Sequence, residues 1–242
     1  MSDPKTPKYQ RLILKISGES FSAPGEFGIS PDELKSIAHE ISLAADTGAK
    51  IAIVVGGGNM IRGASLAQNS TMHQSTADYM GMLGTVMNGM ALKEALEAEG
   101  RPCRLMSAIH IPAVAEPFIR SRALRHLDKG RILILSAGTG NPFNTTDSCA
   151  SLRASELNAE IILKATKVDG IYSEDPVKNP NATRYDDLTF QEAIEKQLRV
   201  MDLTALSMCL EQNIPVIVFD FKTPGNIRRA IEGQNIGTLV TN

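Results

Sequence analysis

The sequence predicts an α/β protein, a single α/β/α sandwich around a largely parallel central sheet. Three observations predict it. Short apolar runs of strand length alternate along the chain with segments of helical periodicity, the order that builds a parallel sheet covered on both faces. The runs are near-continuous in apolar character, as in strands buried on both sides. Gly-rich turns follow three of the runs directly, and open α/β sheets bind ligands at the carboxyl ends of their strands. The chain has 242 residues without a low-complexity linker or a solenoid repeat, so one domain over 1–242 is expected, residues 1–8 forming a flexible N-terminus.

The first strand, 12–16, is Leu-Ile-Leu-Lys-Ile, broken by Ser17-Gly18-Glu19. A Gly/Pro-rich loop follows, then a helix with Ser30 as its cap, Pro31 at its first position and Glu33 completing a capping box. Leu34, Ile37, Ala38, Ile41 and Ala45 recur there at helical spacing, and Gly48 can stop the run. Strand 50–55 leads straight into Gly56-Gly57-Gly58-Asn59. Further strands are expected at 104–106, 131–135, 160–163 and 215–219, with helices at 78–97, 113–126, 147–157, 202–211 and 224–231. Residues 169–187, containing Pro176, Asn179, Pro180 and Asn181, read as an excursion of loops and short strands.

Composition narrows the function. With 43% hydrophobic and 21% charged residues and a formal net charge of −2, nothing favours nucleic acid or an anionic membrane as partner. Cys103, Cys149 and Cys209 lie far apart without C-x-x-C spacing, which argues against a disulfide framework or a zinc site and for a reducing cytoplasm. The polar N-terminus lacks the apolar stretch of a signal peptide, and no apolar run approaches the ~20 residues that span a bilayer.

Chemistry concentrates at the strand ends. Ser17-Gly18, Gly56-Gly57-Gly58 and Gly138-Thr139-Gly140 each close an apolar strand, and glycine lets backbone N–H groups approach an anion. Neither G-x-x-x-x-G-K-[ST] nor G-x-G-x-x-G is present, which excludes a P-loop and a dinucleotide fingerprint. Positive charge comes from Lys15 and Lys164, each interrupting an apolar run near its carboxyl end, and from Arg62 after the triple glycine. Asp147, at a helix start after Thr145-Thr146, is either an ordinary cap or a carboxylate orienting lysines or Mg2+ around phosphate. His39, His73, His110 and His126 have no metal-binding spacing. Met80, Met82, Met87 and Met90 suit core or interface packing, and Gly81, Gly84 and Gly89, each costing roughly 1 kcal/mol in a helix, suggest close helix–helix approach, as between subunits.

These stretches resemble the bacterial-type uridylate (UMP) kinases of the amino acid kinase superfamily. The similarity runs through Lys15-Ile-Ser-Gly-Glu19, Val55-Gly-Gly-Gly-Asn59 with Arg62-Gly63, and Asp78-Tyr-Met-Gly-Met-Leu-Gly-Thr-Val-Met-Asn88. It continues through Ser136-Ala-Gly-Thr-Gly-Asn-Pro-Phe143, Thr145-Thr-Asp147, Lys164-Ala-Thr-Lys-Val-Asp-Gly170 and Val200-Met-Asp202. The resemblance implies Mg2+-dependent transfer of the γ-phosphoryl of ATP to UMP in pyrimidine nucleotide synthesis. It also implies a homohexamer inhibited by UTP and, in many members, activated by GTP.

By the same resemblance, Lys15 and Lys164 would neutralise the transferring phosphoryl group and Asp147 would hold them; no residue is assigned as a direct metal ligand. ATP would meet Lys15, Ile16, Ser17, Gly18, Gly58, Arg62, Thr166, Tyr172 and Asp175. UMP would meet Gly57, Asp78, Thr139, Gly140, Asn141, Pro142, Phe143, Asn144, Thr145 and Thr146. Ala23, Pro24, Gly25, Glu26, Phe27 and Gly28 form the region linked to GTP. Two positions depart from the family pattern: Asn144 where a second aromatic is usual, and Gln74 where arginine is common. The alternatives are another phosphotransferase of the superfamily and a non-catalytic nucleotide-binding relative.

Overall fold

The computed structural model describes residues 7–61, 71–176, 178–179, 181–198 and 200–242. Arg62 and residues 1–6 of the N-terminus expected to be flexible over 1–8 lie outside this set. Among the described residues one nine-stranded sheet has the order β4-β3-β5-β2-β1-β6-β10-β11-β9. Its strands are β1 (Arg11–Ile16), β2 (Lys50–Val55), β3 (Cys103–Ser107), β4 (Glu116–Pro117), β5 (Ile132–Ser136), β6 (Ile161–Thr166), β9 (Asp187–Thr189), β10 (Val216–Asp220) and β11 (Gly237–Thr241). β7 (Ile171–Tyr172) and β8 (Arg184–Tyr185) form a separate antiparallel hairpin within the predicted excursion. The helices are α1 (Pro31–Ala45), α2 (Gln74–Ala98), α3 (Arg120–Asp128), α4 (Thr146–Leu157), α5 (Phe190–Glu195), α6 (Leu203–Gln212) and α7 (Asn226–Ile231). All pairings from β4 to β10 are parallel, and β10–β11 is antiparallel.

Alternation along the central strands sorts the core into two layers. Leu12, Leu14 and Ile16 of β1, with Ile161, Leu163 and Ala165 of β6, face the layer that includes Ile37 and Ile41 of α1 and Leu92 of α2. Ile13 and Ile162 face the opposite layer, with Ala150 and Ala154 of α4 and Leu206 of α6. A side-chain period of 2 therefore sends Lys15 and Lys164 to that second face, and parallel register sets them side by side.

Several expectations need correction. The helix expected over 113–126 starts only at Arg120, because β4 occupies Glu116–Pro117. Pro117 has no N–H and pushes the residue before it toward extended backbone, which suits an edge strand and blocks a helix. The capping box of α1 is half formed: the Ser30 hydroxyl accepts from Glu33 N at 3.4 Å, but Ser30 N donates to Phe21 O and Glu33 pairs with Lys222. Two of the three helix glycines, Gly84 and Gly89, serve contacts within the chain, whereas Gly81 meets nothing within 4 Å. A Cβ on Gly89 would lie 2.7 Å from Leu105 of β3, and one on Gly84 3.1 Å from Met60. The apolar runs gave no warning of α5 and β11. β11 begins with Gly237, where a Cβ would lie 2.1 Å from the Val218 carbonyl oxygen.

Candidate active site

Three charged side chains meet at the carboxyl ends of β1 and β6. Lys15 Nζ lies 2.8 Å from Asp147 Oδ1, and Lys164 Nζ 2.7 Å from Asp147 Oδ2. The register Lys15↔Lys164 aligns the lysines, and α4 delivers Asp147 on its first turn, with the Thr145 hydroxyl capping Asp147 N and Ser148 N. The cap of this helix is Thr145, and Asp147 in the first turn bridges the two lysines instead of capping. The three side chains are only 11–14% exposed. Burial raises the Asp147 carboxyl, yet the two ammonium groups outweigh it and hold the pKa below 3.8. Burial lowers the Lys164 ammonium, reinforced by Lys15, and Asp147 offsets only part of that. Lys164 also donates to the Val200 carbonyl.

The glycine turns after β1 and β2 touch each other. A Cβ on Gly18 would sit 2.3 Å from Gly58 N, and one on Gly56 2.4 Å from Gly18 N, so neither position tolerates a side chain. Gly56 N donates to Ile16 O at 2.8 Å, joining the turns, while the Ile16 side chain is in the core. Gly57 abuts α2, where its Cβ would meet Gly81 O at 2.6 Å.

Beside these turns lies a cavity of about 220 Å³. Of the residues expected at UMP, Gly57, Asp78, Thr139, Asn141, Asn144, Thr145 and Thr146 line it. Gly58, expected at ATP, lines it too. Gly140, Pro142 and Phe143 do not. Gly140 (φ 83°) backs onto Ala108, and Phe143 (φ 64°) is 75% exposed. The loop is nevertheless fastened: Phe143 N donates to Asp78 Oδ2 at 2.8 Å, and Gln74 Nε2 to Asp78 Oδ1 at 2.7 Å. Gln74 thus supports Asp78 from one helical turn away.

A larger cavity of about 520 Å³ opens on the other side of the cluster, where Lys164, Thr166, Tyr172 and Asp175 line it. Lys15, Ile16, Ser17 and Gly18 do not line this cavity. Residues 23–28 form an exposed to half-buried loop, with Phe27 83% exposed. Gly28 N donates to Asn59 O and Gly28 O accepts from Asn59 Nδ2.

Sequence reasoning missed some of the residues that build this centre. Asp202 caps α6 through Ala205 N and accepts from the Thr145 and Ser148 hydroxyls, tying the start of α4 to α6. Thr85 accepts from Ala137 N at 2.6 Å, and Ala137 is buried with φ 61°. Asp202 carried a signal as a helix cap inside a matching motif; Thr85 carried none, being a threonine in the middle of a helix.

Comparison with known proteins agrees with this geometry. The pattern of the amino acid kinase family matches residues 10–220. The chain is 51% identical over 233 residues to the uridylate kinase PUMPKIN, chloroplastic, of Arabidopsis thaliana, covering 96% of this chain and 69% of that protein. The crystal structure of UMP kinase from Bacillus anthracis superposes with a TM-score of 0.93 at 38% identity, over 96% of both chains. That of UMP kinase from Ureaplasma parvum gives 0.91 at 36%, over 97% of this chain and all of the other. A family match across most of the sequence, with relatives alike over nearly its whole length, means that the chain belongs to the amino acid kinase family.

Proposed function

We infer that the chain is a UMP kinase, transferring the γ-phosphoryl of ATP to UMP to give UDP and ADP in pyrimidine nucleotide synthesis. The observation that carries this is the Lys15–Asp147–Lys164 cluster, placed so that Lys164 lines the larger cavity and Thr146, next to Asp147, lines the smaller. Relatives named as uridylate kinases support the choice of acceptor.

An oxygen of the UMP phosphate attacks the γ-phosphorus as the bond to the β,γ-bridging oxygen breaks. That nucleophile is already ionised near neutral pH, since a phosphate monoester has its second pKa near ~6. A general base is therefore unnecessary, and Asp147 is committed to the lysines instead. Charge on the transferring group is met by the two ammonium groups and by backbone N–H groups of Gly18, Gly57 and Gly58. Phosphoryl transfer requires chiefly this positioning and neutralisation. We assign UMP to the smaller cavity, with Asp78 at the ribose and the 139–146 loop around the nucleoside. ATP goes to the larger one, near Thr166, Tyr172 and Asp175.

Asp147 is occupied by both lysines, and no group of three or more His, Cys, Asp or Glu that could hold a metal occurs among the described residues. We therefore assign Mg2+ to the ATP phosphates, where it would offset their charge.

A homohexamer is proposed, supported by the exposed apolar stripe Tyr79, Leu83, Met87 and Met90 on α2. Effects of GTP and UTP, the former through residues 23–28, remain part of the proposal. No helix among the described residues is long and apolar enough to cross a membrane. Three buried free cysteines fit a reducing compartment, proposed to be the cytoplasm.

The test is ATP-dependent UDP formation, with CMP, glutamate and aspartate as competing acceptors and with GTP or UTP added. UMP is expected as the preferred acceptor, and preference for an amino acid would overturn the reading. Lys15→Ala should lower turnover by orders of magnitude while the protein stays folded; unchanged turnover would remove its charge-neutralising role.

A further inference from the structure

Two buried amides outside the charged cluster link the helix α2, the Gly56–Gly58 turn and Gly28. Asn88, fully buried on α2, donates from Nδ2 to Gly56 O at 2.8 Å and to Asn59 Oδ1 at 2.6 Å. Asn59, 2% exposed, donates from Nδ2 to Gly28 O at 2.7 Å and to Asn88 Oδ1 at 2.9 Å. Both protons of both amides are used, and each side-chain carbonyl accepts from the other residue. The same Asn59 Oδ1 would lie 2.9 Å from a Cβ on Gly18, so the pair also backs the turn after β1.

A purely structural buried pair would be easier to build from apolar side chains, because burying two side-chain amides brings desolvation that hydrogen bonds only offset. What apolar groups cannot supply is fixed direction. The Gly56–Gly58 backbone lacks side chains to hold it; the Gly56 N–H is spent on Ile16 O, and those of Gly57 and Gly58 can cradle an anion only if the carbonyls of the turn are directed away. Asn88 holds the Gly56 carbonyl in that orientation, and Asn59 holds the Gly28 carbonyl from the next residues of the same turn. Gly28 N closes the second link by donating to Asn59 O at 2.9 Å.

We propose that Asn59 and Asn88 are a positioning pair for phosphoryl transfer: together they set the geometry of the Gly56–Gly58 cradle and make it depend on the placement of the 23–28 loop through Gly28. Neither touches substrate. This rests on the UMP kinase reading, and the wild-type enzyme's own UDP formation, measured first, tests that reading separately.

The experiment compares Asn59→Ala, Asn88→Ala and the double variant with wild type, by steady-state kinetics in both substrates and by thermal unfolding. The assay temperature is one at which circular dichroism shows all four proteins folded. Displacing a reacting group by about 1 Å costs on the order of 10²-fold, so each single variant is expected to lose 10- to 100-fold in kcat with a smaller change in either KM. Because the amides act as one unit, the double variant should lose little more than either single one. A third variant, Gly28→Ala, adds a Cβ that meets nothing within 4 Å but disfavours the φ of 85°, so it shifts the Gly28 carbonyl that Asn59 holds, and a kcat loss in the same direction is expected from it. Variants with lowered Tm but kcat within twofold of wild type would reduce the pair to a structural role and overturn the proposal. Multiplicative losses in the double variant would overturn the claim that the two act together. If a variant fails to fold, Asn88→Ser, which keeps a donor at shorter reach, takes its place under the same criteria.

Discussion

Replacing Asp147 with Asn keeps the shape of the side chain and removes the one negative charge shared by Lys15 and Lys164. At 2.7 Å and an effective dielectric near 20, the gross attraction lost by Lys164 is about 6 kcal/mol. Relaxation returns much of this, and a neighbouring opposite charge shifts a pKa by about 1–3 units in practice. Lys164 already lies below 10.5 because of burial and Lys15, so in the variant its pKa falls further, toward neutrality. The charged form is the one needed, and activity is lost as pH rises through the Lys164 pKa. The alkaline limb of kcat should therefore move to lower pH by about 1–3 units, with turnover at its plateau reduced on the order of 10²-fold by lost orientation. Stability gives a second, opposite-sided readout. The Asp147 pKa is depressed below 3.8, so its contribution is full above that value and is lost as pH falls through the lower folded one. Wild type should thus lose Tm below about pH 4 more steeply than Asp147→Asn. The assays are UDP formation from pH 6 to 10 and unfolding from pH 3 to 6. An unshifted alkaline limb with kcat within threefold of wild type would refute the bridging role.

Other expectations follow from single contacts. Thr85→Val leaves the buried Ala137 N–H without its acceptor, which should cost about 1–3 kcal/mol and raise the UMP KM, measured by denaturant unfolding and kinetics. Gly81→Ala meets nothing within 4 Å and should gain about 0.5–1 kcal/mol of helix propensity, or roughly 2–3 °C in Tm. Gly89→Ala must displace Leu105, so its overpacking exceeds the same gain and Tm should fall by about 2–4 °C. A drop in Tm for Gly81→Ala would mean that another surface covers that position. The thiols of Cys103, Cys149 and Cys209, pushed up to about 11 chiefly by burial, should resist alkylation in the native protein at neutral pH and react once it is unfolded.

Much of this centre was legible in sequence because its signals are local. A lysine near the carboxyl end of an apolar run is improbable as core, so Lys15 and Lys164 stood out, and a helical start after Thr145 brought Asp147 with them. The helix α1 was readable from Ser30, Pro31 and its apolar spacing, although the second half of its capping box went to Lys222, nearly two hundred residues away. What failed was non-local. Asn59 and Asn88 are ordinary asparagines until the fold sets them 2.6 Å apart, and Asp202 looks like any cap until Thr145 and Ser148 reach it. β4 was lost to a helical pattern that Pro117 contradicts, and β11, Gly-Thr-Leu-Val-Thr, carries only two adjacent apolar side chains, too few to read as an apolar run.

The helix α2 is one wall thick. Asp78, Gly81, Met82 and Thr85 border the acceptor cavity, while Tyr79, Leu83, Met87 and Met90 look outward from its opposite flank. An α-helix with its side chains is about 10 Å across, so no intervening layer separates the two. A rotation of this cylinder by a few degrees, imposed by anything resting against its outer flank, carries Asp78 with it and loosens or tightens the fastening of Phe143 N. The outside of the molecule and the mouth of its acceptor cavity are, along this helix, two sides of the same rod.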